Sequence, residues 1–322
     1  MSNFSNEVNY LYFITGIISG YGGSILFILG IVGNFINIFL FSYLPQLNKG
    51  STLIFLLFSF IASQIYLLVI LLSQIVYQFT GVDPLSIYLI LCKIRWFIGT
   101  GSATVALHCL TLAAFNQYLL TSRNIQRHQW INRRRALFMC LFVIIYTMGF
   151  ISPNLVYYTH VKNAMNQTQC GVTDPIGRTY DVYNGFVIYS LLPIIVLSTF
   201  SFLTWWNIKH KIARRAAMER SLTRLVFAQI TMVLLASIGF FIRRIYFLYY
   251  TNISKNSFQI AQDNLFNIIF LMIGHIIHSF SFYTYLFSSK AFRQNILSLF
   301  RKRQNRIQPT GGIRMKTITR TM

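Results

Sequence analysis

Three arginines stand inside long apolar stretches, where a charged side chain is costly and usually serves a purpose. Arg95 lies near the start of one stretch, and Arg243 and Arg244 lie near the end of another. A guanidinium that faces the interior of a helix bundle offers a fork for a ligand carboxylate or a backbone carbonyl. The alternative is that these side chains extend to lipid headgroups, since each lies about one turn from the end of its stretch.

Two histidines, His275 and His278, share one face of a predicted helix because they are three residues apart. That spacing could bind a metal ion, but neither an acidic residue nor a thiol is placed to complete the site. We therefore expect these imidazoles to hydrogen-bond between helices, and we predict no metal and no cofactor. The apolar stretches carry only scattered His and Ser, so we do not expect an enzyme.

The elements that must position these residues are seven apolar runs, each longer than the roughly 20 residues that a helix needs to cross ~30 Å of hydrocarbon. We therefore predict an all-α membrane protein, a seven-transmembrane helix bundle. A transporter is a weaker alternative, because it would usually show repeats and buried carboxylates, and none of the six acids lies in the middle of a run. The runs cover approximately 19–44, 52–79, 89–121, 136–158, 181–208, 220–250 and 262–287.

Basic residues fall on alternate connections between these runs. The first, third and fifth connections and the stretch after the last run hold 21 of the 28 Lys and Arg, and 7 lie elsewhere. The positive-inside rule places the 21 in the cytoplasm and the N-terminus outside, which predicts a multi-pass plasma-membrane protein. The net charge of +22 would suggest nucleic acid in a soluble protein, but here it is better explained by contact with anionic membrane lipid.

Two cysteines fall on the predicted outer side, where a disulfide persists. We predict a bridge between Cys92 and Cys170 that ties the connection after the fourth run over the bundle; two unpaired thiols are the alternative. Cys109 and Cys140 lie inside runs, as small apolar fillers. Three N-glycosylation signals also fall on the outer side, at Asn3, Asn166 and Asn252.

Seven spans, an outer N-terminus and this cysteine pair resemble the rhodopsin-like (class A) G-protein-coupled receptors over nearly the full length. The resemblance rests on Gly33-Asn34 in the first span, Trp96 four residues after Cys92, Pro193 in the fifth span, and Tyr285 followed seven residues later by Phe292. It implies that a ligand bound outside swings the inner end of the sixth helix outward and opens a cleft for a heterotrimeric G protein.

The departures from that family are similar to those of its divergent invertebrate members. Asn116-Gln117-Tyr118 replaces the Asp-Arg-Tyr trio, and Gln64 takes the place of the second-span aspartate, so the resemblance does not extend to the family's sodium site. We expect the Gln117 amide to bond to backbone or to polar groups on neighbouring helices, and to hold the inactive state less tightly than an ion pair would. By resemblance, the switch residues are Asn116, Gln117, Tyr118, Gly239 (in the place of a proline) and Tyr285.

We expect the ligand site in the outer half of the bundle, where helix ends form a concave pocket. By resemblance, Gly99 takes the place of the aspartate of amine receptors, and no lysine stands near His275 as it does in opsins. An amine ligand and a light sensor are therefore not expected, and a peptide or a small anionic molecule is favoured. The candidate residues are Arg95, Trp96, Gly99, Tyr189, Phe240, Phe241, Arg244, Asn267, Leu271 and His275.

The expected organisation is an extracellular N-terminus (1–18), the receptor domain (19–287), an amphipathic eighth helix on the inner leaflet (288–301) and a disordered cytoplasmic tail (302–322). Phe292, Ile296 and Phe300 at four-residue spacing predict that eighth helix. The expected function is transmission of extracellular ligand binding to a G protein. The alternative is a receptor-like protein without coupling, a decoy or trafficking partner, because the switch motifs have drifted.

Overall fold

The computed structural model describes residues 2–43, 50–83, 87–122, 124–162, 168–209, 217–250, 255–290, 292–294 and 296. Seven helices in it are long and apolar enough to cross a membrane. The predicted tail (302–322), Asn166 and Asn252 lie outside the described residues. Asn3 lies in a helix, but its side chain is not among those described.

Three of the seven spans are interrupted by a π-helical turn, and the others are α-helical or end in a short second helix. The first to third spans are Ser2–Ile17 with Ile18–Gly22 and Gly23–Tyr43, then Ser51–Tyr66 with Leu67–Leu71 and Leu72–Thr80, then Leu89–Thr121. The fourth and fifth spans are Arg133–Ile151 with Asn154–Tyr157, then Pro175–Tyr183 with Asn184–Leu191 and Leu192–Lys209. The sixth and seventh spans are Ala217–Tyr250, then Ser257–Ser279 with Ser281–Ser288.

Six of the seven spans begin earlier than their apolar runs predict, the first and the fifth by the most. The first helix begins at Ser2, not near residue 19, because a helix satisfies its own backbone groups and can continue through polar residues beyond the hydrocarbon. The fifth span begins at Pro175, six residues before the predicted start. There the Asp174 carboxylate accepts a hydrogen bond from the Gly177 N–H and Pro175 occupies the first turn, an arrangement that favours a helix start.

The fifth span changes its helical pitch beside Pro193. The π-helical turn Asn184–Leu191 ends two residues before this proline. Because proline has no backbone N–H, it cannot donate a hydrogen bond to a carbonyl of that turn. The Ile188 carbonyl, five residues earlier, lies 3.4 Å from Nε2 of His108 on the third span. A side chain of a neighbouring helix therefore reaches the backbone at the point where the pitch changes.

The first span packs tightly on the second and seventh spans through small residues. A Cβ atom added to Gly30 would lie 2.5 Å from Leu67 Cδ1 and 3.1 Å from the Ser279 backbone. Asn34 Nδ2 donates to the His278 carbonyl at 2.9 Å, as the resemblance to the family's first-span signature implies. Because glycine has no side chain, the helix backbones can approach closely here, which is how membrane helices commonly associate.

A β-hairpin lies across one end of the bundle. The strands β1 (Tyr158–Lys162) and β2 (Thr168–Val172) are antiparallel, with His160 opposite Cys170. Cys170 is bonded to Cys92 at the start of the third span, which confirms the predicted disulfide. We call this end of the bundle the hairpin end, and we call the opposite end, which carries most of the basic connections, the basic end.

At the basic end, the seventh span is followed by further helical residues. Residues 290, 292–294 and 296 are helical, and the buried ring of Phe292 packs 6.2 Å from Phe41 and 5.8 Å from Tyr285 between ring centroids. Arg293 and Gln294 are exposed. The described part of the predicted eighth helix is therefore amphipathic, and Phe300 lies outside the described residues.

Candidate functional site

Arg95 forms an ion pair at the hairpin end. Its Nη1 lies 3.0 Å from Oδ2 of Asp83, in the connection between the second and third spans, and both side chains are mostly buried. Its guanidinium carbon also lies 5.5 Å from the ring centroid of Trp96. The Nε atom of Arg95 is buried and has no hydrogen-bond partner among the described residues. Arg95 therefore has a counter-ion but keeps one donor unused.

Trp96 supports the hairpin. Its ring stacks on Tyr158 of β1, with centroids 4.9 Å apart, while its Nε1 atom is buried without a partner among the described residues. The Tyr158 hydroxyl donates to Oδ1 of Asp181 on the fifth span at 3.0 Å. Burial, and then the nearby Asp181 carboxylate, raise the pKa of Tyr158, so this hydroxyl keeps its proton and remains a donor.

Two arginines of the sixth span share one aromatic ring. The guanidinium carbons of Arg243 and Arg244 each lie 5.3 Å from the ring centroid of Phe240. Arg243 Nε donates to Oδ1 of Asn267 on the seventh span at 2.6 Å. Arg244 Nη1 lies 3.5 Å from Oδ2 of Asp181. These contacts join the hairpin ends of the fifth, sixth and seventh spans.

Arg244 packs closely on a glycine and has an unused donor. Gly185 lies beside its guanidinium, and a Cβ atom at that glycine would come within 2.5 Å of Arg244 Cζ. Its Nε atom is buried without a hydrogen-bond partner among the described residues. The distance to Asp181 is longer than the ~2.7–2.9 Å of a strong charged hydrogen bond. Arg244 is therefore only partly satisfied by the protein.

Aromatic side chains of the fifth and sixth spans pack next to these arginines, on the side toward the middle of the bundle. Tyr189 packs on Phe240 with centroids 4.9 Å apart, and its hydroxyl lies 3.3 Å from Nε2 of His278. Phe241 stacks on Phe186 of the fifth span at 4.9 Å. Tyr189 and Phe240 thus lie next to the arginines, while Phe241 serves helix packing between the fifth and sixth spans.

His275 belongs to a hydrogen-bonded network between helices. Its Nδ1 lies 2.8 Å from the Tyr66 hydroxyl and its Nε2 lies 3.3 Å from Oε1 of Gln74. Gln74 in turn donates to Ser19 Oγ at 3.1 Å. His275 is fully buried, so these bonds account for both ring nitrogens. In the part of the chain that the structure describes, His, Cys, Asp and Glu form no cluster of three or more.

Gly99 does not face the arginines of the sixth span. A Cβ atom on Gly99 would lie 2.3 Å from Ile70 Cδ1, so Gly99 faces the second span, and its missing side chain permits close helix packing. Leu271 is half-buried on the seventh span. At the hairpin end, Tyr189, Phe240 and Asn267 contact one another or the arginines of the sixth span, and Trp96 is linked to Arg244 through Tyr158 and Asp181. We call the residues of this group the ligand cluster: Arg95, Trp96, Tyr189, Phe240, Arg243, Arg244 and Asn267.

Sequence reasoning missed two partners of this cluster, Asp181 and Tyr158. Asp181 carries a signal in the sequence, because it is one of only six acids in a chain of net charge +22. Tyr158 carries no such signal, since Tyr is common in this chain. Arg243 was recognised as a charge in an apolar run, but its bond to Asn267 was not predicted.

A separate hollow of about 600 Å³ lies between the third, fourth and fifth spans. Its lining is aromatic and aliphatic around His108, and Phe138 and Phe142 on its rim are 64% and 69% exposed. None of the ten candidate ligand residues lines it. The hollow therefore opens on the outer surface of the helix bundle, and it is separate from the candidate residues at the hairpin end.

At the basic end, Gln117 is held by neutral hydrogen bonds, as expected. Its Nε2 donates to Thr52 Oγ1 on the second span at 3.0 Å, and its Oε1 accepts from Thr223 Oγ1 on the sixth span at 2.9 Å. Asn116 Nδ2 donates to the same Thr52 hydroxyl at 2.7 Å. We call Gln117, Thr52 and Thr223 the amide latch, because together they join three spans.

Two of the three remaining switch candidates, Tyr118 and Tyr285, also lie toward the basic end. Tyr118 packs on Phe200 at 5.7 Å and accepts a hydrogen bond from Arg127 at 3.3 Å. The fully buried ring of Tyr285 lies between Phe41 and Phe60, at 6.2 and 5.8 Å. Gly239 lies far from this end and packs close to Phe270 of the seventh span.

Comparison with known proteins supports the same architecture. A comparison with curated proteins found no match. The family described as 7 transmembrane receptor (rhodopsin family) matches residues 33–280, which is most of the chain and runs from the first span to the seventh. With its seven apolar helices and the disulfide between the third span and the hairpin, this chain belongs to the rhodopsin family of seven-transmembrane receptors.

Proposed function

We propose that this receptor binds an extracellular peptide or small anionic ligand at its hairpin end and signals to a heterotrimeric G protein at its basic end. One observation carries the ligand class. Arg95 Nε, Trp96 Nε1 and Arg244 Nε are buried nitrogen donors at the hairpin end without a partner among the described residues. A buried donor without an acceptor costs ~1–3 kcal/mol, so a ligand that brings acceptors regains that energy.

The chemistry of the cluster favours an acceptor-rich ligand over a cationic one. All three unused groups donate, and two of them belong to arginines, which match carboxylates and peptide carbonyls. The two nearby acids are already engaged, Asp83 with Arg95 and Asp181 with Tyr158 and Arg244. A ligand carboxylate at Arg244 would add a charge-assisted hydrogen bond, whereas the protein itself supplies only the 3.5 Å contact with Asp181.

The sixth span is the proposed link between the two ends. It is one helix from Ala217 to Tyr250, about 50 Å long at 1.5 Å per residue. Near one end it carries Arg243 and Arg244, and near the other it carries Thr223 of the amide latch. A ligand that shifts the hairpin end of this helix would strain the Thr223–Gln117 bond, and the state with that bond broken would bind the G protein.

The test is a set of cells that express the receptor together with reporters for several G proteins. They are challenged with peptides and carboxylate metabolites, each beside its amide-capped counterpart. We expect a response to a carboxylate form that Arg244→Ala abolishes while surface expression is retained. Arg178→Ala, which removes an exposed arginine of the same end outside the cluster, is the matched control and should respond like wild type.

Two results would contradict the proposal. Ligand binding at the cell surface without any reporter response would favour a receptor-like protein without coupling. Equal loss of response in Arg244→Ala and Arg178→Ala would mean that overall charge, and not the cluster, attracts the ligand.

A further inference from the structure

A small cavity lies between the second, third, sixth and seventh spans. It measures about 10 Å³, roughly the size that one water molecule needs. Its polar lining consists of Ser59, Ser63, Gln229, His278 and Ser281. Gln64, which by resemblance stands in the place of the family's sodium-binding aspartate, does not line it.

The lining does not fit a sodium ion. Hard cations bind oxygen ligands, among which carboxylates supply the compensating charge, and an isolated charge moved into an apolar interior without such compensation costs up to tens of kcal/mol. None of the residues that line the cavity is acidic. The six acids of the chain are Glu7, Asp83, Asp174, Asp181, Glu219 and Asp263, which stand toward the ends of the spans or in their connections.

His278 makes the cavity still less suitable for a cation. Its Nδ1 lies 3.1 Å from Ser63 Oγ, and its Nε2 lies 3.3 Å from the Tyr189 hydroxyl. Both ring nitrogens are therefore engaged, whichever tautomer is present, and neither lone pair is spare.

One lining oxygen lacks a partner. Oε1 of Gln229, a side chain only 5% exposed, is buried without a hydrogen-bond partner among the described residues. A hydrogen-bond donor would satisfy it. Ser59 donates to the Ala106 carbonyl at 2.9 Å, and Ser281 donates to Asn34 Oδ1 at 3.0 Å. Their hydroxyl oxygens can still accept, so a small molecule with two donors would complete the set.

We propose that this cavity holds one water molecule and not a sodium ion, and that the water joins Gln229 to the serines of the second and seventh spans. The water donates to Gln229 Oε1 and to one serine hydroxyl, which satisfies the buried oxygen at no cost in charge. His278 then connects the water to the Tyr189 hydroxyl, and the Tyr189 ring packs on Phe240 of the ligand cluster.

The first test is the thermal melting of the purified full-length receptor in NaCl and in KCl at equal concentration. We expect the same melting temperature in both salts. Ser63→Asp supplies the missing carboxylate and should raise the melting temperature in NaCl only, since an ion that binds the folded state stabilises it. Ser63→Asn is the neutral matched control and should show no difference between the salts. Ser59→Asp replaces Ser63→Asp if that variant does not fold.

A sodium-specific rise in the melting temperature of the wild-type protein that Gln229→Leu removes, but Gln64→Leu does not, would overturn the proposal. The second test is a structure at a resolution that shows ordered water, determined from sodium-free buffer. A density peak within hydrogen-bond distance of Gln229 Oε1 would support the proposal. The lack of any peak there, or a peak that appears only with sodium, would contradict it. Neither test needs a ligand or a G protein, so both are independent of the proposed function.

Discussion

At the scale of single residues, Asp181 determines how available the guanidinium of Arg244 is for a ligand. Its carboxylate accepts from Tyr158 at 3.0 Å and lies 3.5 Å from Arg244 Nη1, with the Arg244 and Asp181 side chains 21% and 28% exposed. A pair that is long and partly exposed contributes no more than about 1 kcal/mol. A ligand carboxylate can therefore compete with Asp181 for the guanidinium.

We predict that Asp181→Asn increases the potency of a carboxylate ligand several-fold, because Arg244 loses its competing acid. Dose–response curves in the reporter cells would measure this. Asp174→Asn is the matched control: it removes the same charge from the same end, where an asparagine can still cap the fifth span. An equal increase for both variants would show a general effect of charge and would contradict the specific role of Asp181.

The amide latch has a consequence for signalling in the absence of ligand. Thr223→Val keeps the shape of the side chain but removes the hydrogen bond to Gln117, worth about 1 kcal/mol. We predict that basal reporter activity rises, with a shift of about fivefold in the equilibrium between the two states. Thr231→Val, on an exposed face of the same helix, is the control. Unchanged basal activity in a receptor that still responds to ligand would contradict the latch.

At the scale of elements, the first span is positioned by the absence of side chains. Gly30 and Gly33 face Leu67, Ser279 and Phe282, and Cβ atoms at either glycine would come within 3 Å of those residues. Gly149 on the fourth span, by contrast, has nothing within 4 Å of its Cβ position. The two kinds of helical glycine therefore make opposite contributions to stability.

We predict that Gly30→Ala destabilises the receptor by about 1–3 kcal/mol, because the added methyl group overpacks against the second and seventh spans. Gly149→Ala should be neutral or stabilising, since Ala is the better helix former by up to about 1 kcal/mol. Thermal melting of the detergent-solubilised variants would compare them. A Gly30→Ala protein as stable as Gly149→Ala would contradict the packing described.

At the scale of the whole molecule, charge is distributed asymmetrically between the two ends. The connections of the basic end and the last stretch hold 21 of the 28 Lys and Arg, and anionic lipid at the cytoplasmic surface attracts such a rim. The hairpin end carries the disulfide, which persists in an oxidising compartment. Both features support the proposed orientation, with the hairpin end outside.

We predict that antibodies detect an epitope tag at the C-terminus only after the cells are permeabilised, whereas a tag at the N-terminus is detected on intact cells. Removal of the signals at Asn3, Asn166 and Asn252 should reduce the apparent mass if they carry glycans. Staining of the C-terminal tag on intact cells would contradict both the orientation and the assignment of the basic end to a G protein.

The sequence by itself determined the seven spans, their order and the Cys92–Cys170 bridge, because hydropathy and compartment act on each segment locally. It also singled out Arg244 and Gln117 as residues of interest. It did not determine which groups these residues meet. Contacts between helices depend on the rotation and depth of each helix, which the positions of apolar residues constrain only loosely.

Only the tertiary structure decided that Asp181 faces Arg244, that Gln117 meets Thr223, and that Gly99 faces Ile70 instead of the ligand cluster. Each π-helical turn adds one residue and so rotates the following helix face by about 100°. Such a turn lies in the fifth span between Asp181 and Pro193. A regular α-helical pattern therefore does not predict which residues before and after the turn share a face of that span. Their partners on neighbouring helices are determined by the packing of the folded bundle.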